Sequence, residues 1–232
     1  CWNEAQQVTD DATEKLQYLQ HLQTLVETWP ESASADQARL WQGYHFQAVQ
    51  DWPAALQSYL GISRQSPLLL QAMPYVQSAT DRLCRDWQTG SGEVRNSVED
   101  LVSRLVEKLE LEASPKPDWT EAEQQLLLVL IRCSLVSGRI EPAKLLDWLN
   151  AALDQAGDSD ASWMQLARGW KLILLAVQSE SLPALQARLK ELPNRADLME
   201  TCFAGLSDHV PMGRQKTYAA VMEMICSKAL ID

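Results

Sequence analysis

The sequence predicts an all-α fold, an antiparallel array of helical hairpins about ten helices long, and three observations carry that expectation. Apolar residues recur every three or four positions through most of the chain, which is helical spacing. Glycine is scarce, 9 of 232 residues, and the 10 prolines fall mostly between the periodic runs, where they stop one helix and open the next. No stretch offers a good strand candidate, and the turn residues that a β-sandwich needs are too few.

Residues 1–9 are a weakly patterned lead. Asp11 with Glu14 three positions on can cap a helix running to Trp29, with Leu16, Leu19, Leu22 and Leu25/Val26 as its apolar stripe. Pro30 stops it. Ser34 followed by Gln37 has the capping-box spacing, so the next helix is expected to start there, with Ala38, Trp41, Tyr44/His45 and Ala48 at helical intervals. Asp51, then Trp52-Pro53, opens a third helix with aspartate as cap and proline in the first turn, and Ala55, Tyr59 and Ile62 form its stripe. Pro67 closes that unit. Two helices of this length cannot bury their apolar faces alone, so neighbouring hairpins must stack on them.

These residues resemble a tetratricopeptide repeat. Gly43 stands where that family has a small residue midway along the first helix, and Phe46 stands where it has a large aromatic three positions on. Ala55, Tyr59, Ile62 and Pro67 match the family's second helix and its closing proline. The lead-in Trp29-Pro30-Glu31-Ser32, with Ala38 and Gly43 after it, is similar to the repeats of bacterial envelope proteins, the BamD-like lipoproteins and the TolA-binding periplasmic coordinators. The match covers about one repeat and the second helix of the one before it, residues 12–67. The resemblance implies an α-solenoid whose first helices line a concave face and bind a polypeptide. In this sequence the groove-facing positions would be Gln37, Leu40, Tyr44 and Gln47, uncharged and suited to hydrogen bonding with an extended peptide. The lysines and arginines that clamp a C-terminal carboxylate in chaperone-binding members are absent from these positions.

After Pro67, helical spacing returns in Tyr75/Val76, Ala79, Leu83 and Trp87. Pro74 inside that run implies a kink or a helix start near Met73. Gly90 ends the run and Ser91 restarts the chain. A helix from about Gly92 to Glu112 carries Val94, Val98, Leu101/Val102, Leu105 and Leu109 inward. Residues 113–118, with two prolines in three positions, read as a stiff linker. They separate a repeat region over 1–112 from a degenerate helical region over 119–232. Asp118 with Glu121 should cap a helix that ends at Gly138. One from about Glu141 to Ala156 follows, with Ala143, Leu146, Leu149 and Leu153 inward. Runs over 161–179, 183–192, 195–208 and 214–230 complete the array.

Composition narrows the function. The net charge is −11, and residues 1–112 hold 16 acids against 8 bases, so the acidic excess lies on the half with the best repeat. An acidic surface repels phosphate backbones, so nucleic acid is not an expected partner. No apolar run reaches the length of a membrane span. Cys1 at the first position reads in two ways, as a fragment boundary or as the lipid-bearing residue of a processed lipoprotein, with the fragment preferred. The envelope placement follows from the resemblance, with the cytoplasm as the alternative.

The five cysteines lack a CxxC and are odd in number, so Cys84, Cys133, Cys202 and Cys226 are expected as reduced thiols on apolar helical faces. His21, His45 and His209 have no second ligand at metal spacing, and no metal or cofactor is expected. The carboxylate pairs Asp10/Asp11, Glu99/Asp100 and Asp158/Asp160 fit helix starts and polar faces. Thr89-Gly-Ser-Gly-Glu93 lacks the lysine of a phosphate loop. Core filling is the expected role of most of the nine tryptophans, including Trp29, Trp41, Trp52, Trp148, Trp163 and Trp170. The expected function is a non-catalytic scaffold that binds a protein or peptide partner. The alternatives are a structural helical domain of a larger envelope protein or enzyme and an all-helical glycan-acting enzyme, which would need paired carboxylates converging in a cleft.

Overall fold

The computed structural model describes residues 12–87, 92–112, 118–156 and 162–178. Among them the chain is all-helical, with eight helices and no strand. They are α1 (Ala12–Thr28), α2 (Ala33–Ala48), α3 (Trp52–Leu60), α4 (Pro67–Trp87), α5 (Gly92–Lys108), α6 (Glu121–Ser137), α7 (Pro142–Ala156) and α8 (Ser162–Gln178). The cap expected at Asp11, the turn at Gly90 and Ser91, the proline pair of the 113–118 segment and the runs beyond 178 lie outside the described residues. The chain divides into two compact units, residues 1–83 with 120–122, and residues 84–119 with 123–232, so one division falls inside α4.

In the first unit α1 packs on α2 and α2 on α3. The α2–α3 pair is antiparallel because its connection is only three residues long, and the sequence of that connection explains both helix ends. Gln50 takes the left-handed conformation, φ 63°, and its N–H donates to the Gln47 carbonyl while the Asp51 N–H donates to the Phe46 carbonyl. That pair of bonds satisfies the last carbonyls of α2. Asp51 then caps α3, its Oδ1 accepting from the Ala54 N–H at 3.1 Å, with Pro53 in the first turn where no donor is needed. One aspartate thus ends one helix and begins the next.

The start of α2 differs from the sequence expectation. The cap is Ser32, not Ser34: its Oγ accepts from the Ala35 N–H at 3.1 Å and donates to the Trp29 carbonyl at 2.8 Å. Ser32 is extended at φ −85°, ψ 151°, so the helix begins as soon as the Pro30-Glu31 turn is complete. Pro67 opens α4 as its first residue, where a missing N–H costs nothing. Pro74 neither starts nor ends a helix, because α4 runs unbroken from Pro67 to Trp87. The side chains of Pro74 and Leu70 are both exposed, so the Leu70 carbonyl that loses its donor is near water.

In the second unit α6 is buried on all sides. Leu126, Leu127, Leu128, Val129, Leu130 and Ile131 are all buried, as the apolar run suggests. α5 presents Val98, Leu101, Val102 and Leu105 inward as expected but ends at Lys108, short of Glu112. Glu110 there has φ 49°, with its N–H on the Glu107 carbonyl and the Leu111 N–H on the Val106 carbonyl, the same helix-ending motif as at Gln50. α6 starts at Glu121, three residues after the expected cap Asp118. Trp119 holds the intervening chain: its Nε1 donates to the Leu109 carbonyl at 3.2 Å, and its backbone pairs both ways with the Gln155 amide. α7 packs on α8 and turns Leu145, Trp148, Leu149 and Ala152 inward. Ala143 is exposed and Leu146 and Leu153 are only half-buried, so the buried stripe lies about one position from the one expected, centred on Trp148.

Trp148, Trp163 and Trp170 are core residues, Trp41 and Trp52 are half-buried, and Trp29 stands 62 % exposed at the end of α1. Cys84 and Cys133 are buried and free, while Cys1, Cys202 and Cys226 lie outside the described residues.

Gln50 and Glu110 occupy positions that favour glycine. An L-residue costs about 1–2 kcal/mol in the left-handed region, part of which glycine gives back as entropy. Gln50→Gly and Glu110→Gly are each expected to stabilise by about 0.5–1 kcal/mol. Glu110→Gly should gain more, because it also removes a negative charge from a helix C-terminus. A higher urea midpoint at unchanged slope is the readout.

Candidate functional site

The four positions assigned to the groove do not behave alike. Leu40 is 1 % exposed, so it belongs to the core beneath α2 and offers nothing to a partner. Gln37, Tyr44 and Gln47 are half-buried. Gln47 is already engaged, its Oε1 accepting from the Tyr59 hydroxyl at 3.0 Å. Tyr44 meets Tyr75 of α4 edge-on at 4.7 Å between ring centroids and Tyr59 at 6.1 Å. Tyr59 and Tyr75 stack at 6.1 Å.

Three tyrosines from three helices therefore converge, and Gly43 is the reason they can. Tyr59 is fully buried against the α2 backbone at Gly43, where a Cβ would fall 2.6 Å from Tyr59 Cζ and nearer to other ring atoms. The closed approach places the Tyr59 ring as a floor. Tyr44 and Tyr75 sit on it, and Tyr75 is 39 % exposed. Burial is the main cause that pushes the Tyr44 hydroxyl up to about 12, with Tyr75 adding to it and Gln71 acting in the opposite direction. Burial raises the Tyr59 hydroxyl further still. These phenols stay protonated at neutral pH, and that of Tyr59 spends its proton on Gln47.

Sequence reasoning names Tyr44 as a groove position and does not name Tyr75, which the structure places against it. The available signal is the spacing of Gln71, Tyr75 and Ser78, which share one face of α4 at i, i+4 and i+7 and are all exposed. Tyr44 on α2 meets Tyr75 on α4, with Gln71 beside Tyr44, and the exposed α4 face continues through Ser78 to Arg82. The aromatic area supplies contact, and the Gln71 amide and the Ser78 hydroxyl supply both donors and acceptors.

Beneath this face Asp36, 5 % exposed, fastens the far end of the hairpin. Its Oδ1 accepts from Arg39 Nη1 at 3.0 Å and from the Ser63 N–H at 2.9 Å. His45 lies edge-on to Phe46, and His21 is exposed. Among the described residues no group of three or more His, Cys, Asp or Glu is arranged to hold a metal ion, and no helix is long and apolar enough to cross a membrane. No protein-family model matches the chain, and no curated protein or solved structure matches it significantly.

Proposed function

We propose that the chain is a non-catalytic scaffold that binds a polypeptide segment across α2 and α4, with Tyr44 and Tyr75 as aromatic anchors. The observation that carries this reading is the Tyr44–Tyr75 pair, a half-exposed aromatic contact between two helices. Rigid aromatic side chains bury large area for little lost rotamer freedom, which is why binding energy concentrates on them. Gln37, Gln71 and Ser78 beside them suit the alternating donors and acceptors of an extended peptide backbone. The tetratricopeptide resemblance of residues 12–67 belongs to the same proposal, as does the bacterial-envelope setting. α2 and α4 would then be first helices of successive repeats, and the shared face would be the concave one.

Selection from a displayed peptide library followed by calorimetry tests it. Tyr75→Ala is expected to weaken the selected peptides about 30-fold, about 2 kcal/mol, with little change in melting temperature. Tyr75→Phe keeps the packing on Tyr59 and separates the ring from its hydroxyl. If no peptide is selected, or if Tyr75→Ala and Tyr44→Ala bind like wild type, the face is not the binding site.

A further inference from the structure

Two buried thiols in the second unit have no role in the peptide-binding reading. Cys84, from the last turn of α4, and Cys133, from α6, bring their Sγ atoms to 3.8 Å in a thiol–sulfur contact. They are 49 positions apart in sequence, 4 % and 0 % exposed, and both free. A small apolar residue would fill either place as well, and nothing about packing alone requires two sulfurs to face each other.

We propose that Cys84 and Cys133 form a peroxide-oxidisable dithiol whose disulfide clamps α4 to α6. The reaction uses hydrogen peroxide as the oxidant. One cysteine, as thiolate, attacks a peroxide oxygen. The O–O bond breaks, hydroxide leaves and collects the released proton as water, and the sulfur becomes a sulfenic acid. The second thiol attacks that sulfur, the S–S bond forms, the S–O bond breaks and a second water leaves with the thiol proton. Two electrons pass from the sulfur pair to peroxide.

The surroundings set the pace of this device. The contact with Cys133, followed by burial, holds the Cys84 thiol well above its usual range, so that thiol is neutral and slow to react in the closed state. Oxidation then follows brief local opening, and the product is protected once the helices close again. The bridge closes a loop of about fifty residues, which restricts the unfolded chain and raises the melting temperature by several degrees.

Peptide mapping of the whole protein tests the proposal. Protein is held with dilute hydrogen peroxide under native conditions, alkylated in denaturant and digested with trypsin. Cleavage after Arg82, Arg85, Arg132 and Arg139 puts the two cysteines on residues 83–85 and 133–139. The expected product is those two peptides joined by a reducible bond, with a melting temperature that rises in wild type and not in Cys84→Ala or Cys133→Ala. Should either variant fold poorly, the wild-type map alone decides. Recovery of both peptides fully alkylated, overoxidised, or linked instead to Cys1, Cys202 or Cys226 overturns the proposal. The outcome is independent of the peptide-binding test, because no residue of the α2–α4 face takes part.

Discussion

Gly43→Leu is expected to destabilise the first unit by about 3 kcal/mol, the upper end for overpacking a filled core. Even a single methyl has no room: the Cβ position lies inside contact distance of a Tyr59 ring that is itself fully buried. Tyr59 cannot swing aside, since its hydroxyl is tied to Gln47 and its ring lies between Gly43, Tyr44 and Tyr75. The added side chain must therefore drive α3 from α2 or expel the ring. Denaturant unfolding of Gly43→Ala, Tyr59→Ala and the double variant measures this directly. The two single changes should each cost stability, and the double should cost less than their sum, because removing the ring removes the clash. Additive effects would show that Gly43 is not held against Tyr59. Gly43→Ala should also weaken peptide binding, because Tyr44 and Tyr75 rest on the ring it displaces.

The hairpin around Gly43 is legible in the sequence because its signals are local. Asp51 with Pro53 marks a helix start through backbone chemistry, and the structure keeps that start. Ala55 and Tyr59 are fully buried on the side of α3 where the 3.6-residue period places them, and Ile62, just past the end of α3, is fully buried too. Ser32 caps where Ser34 is expected, because the turn after Pro30 closes at Ser32, which bonds back to the Trp29 carbonyl. Leu40 reads as a groove residue because the period that puts Gln37 and Tyr44 at the surface also runs along the edge of the buried stripe. Its place in the core depends on the neighbouring helices. The late start of α6 is likewise hidden, since it follows from Trp119 bonding to Leu109 and Gln155, 10 and 36 positions away.

The candidate site shows the same division. Tyr44 is visible from a repeat-like spacing, but Tyr75 acquires meaning only once α4 lies beside α2. Cys84 and Cys133 each read as a small buried hydrophobe, and each is buried. That they face one another is a fact about two helices, and no spacing within either one announces it. Patterns within a helix are readable; pairings between helices are not.

Asp36→Ala is expected to cost about 3 kcal/mol, the scale for breaking a buried charge pair by removing one partner. One carboxylate oxygen satisfies two donors from different parts of the hairpin, the Arg39 guanidinium in the next turn of α2 and the Ser63 N–H beyond the end of α3. Alanine would leave the Ser63 N–H and the largely covered Arg39 without this acceptor, and an unmet buried donor costs more than a met one contributes. Asp36 also lies in the first turn of α2, where a negative charge is favoured by the helix dipole. Asp36→Asn separates these contributions. Its amide oxygen can still accept from Ser63, but the charge toward Arg39 and the helix end is lost, so about half the destabilisation should remain. Urea unfolding of both variants at low and high salt checks the partition. The Asp36→Asn loss should shrink in salt, to the extent that screening reaches this partly covered pair, while the Asp36→Ala loss should persist because a backbone donor is stranded. Equal stability of Asp36→Ala and wild type would mean that the Asp36–Ser63 bond does not hold the α3 end to the α2 start. Amide exchange at Ser63 gives the site-specific reading: protected in wild type, intermediate in Asp36→Asn, and fast in Asp36→Ala.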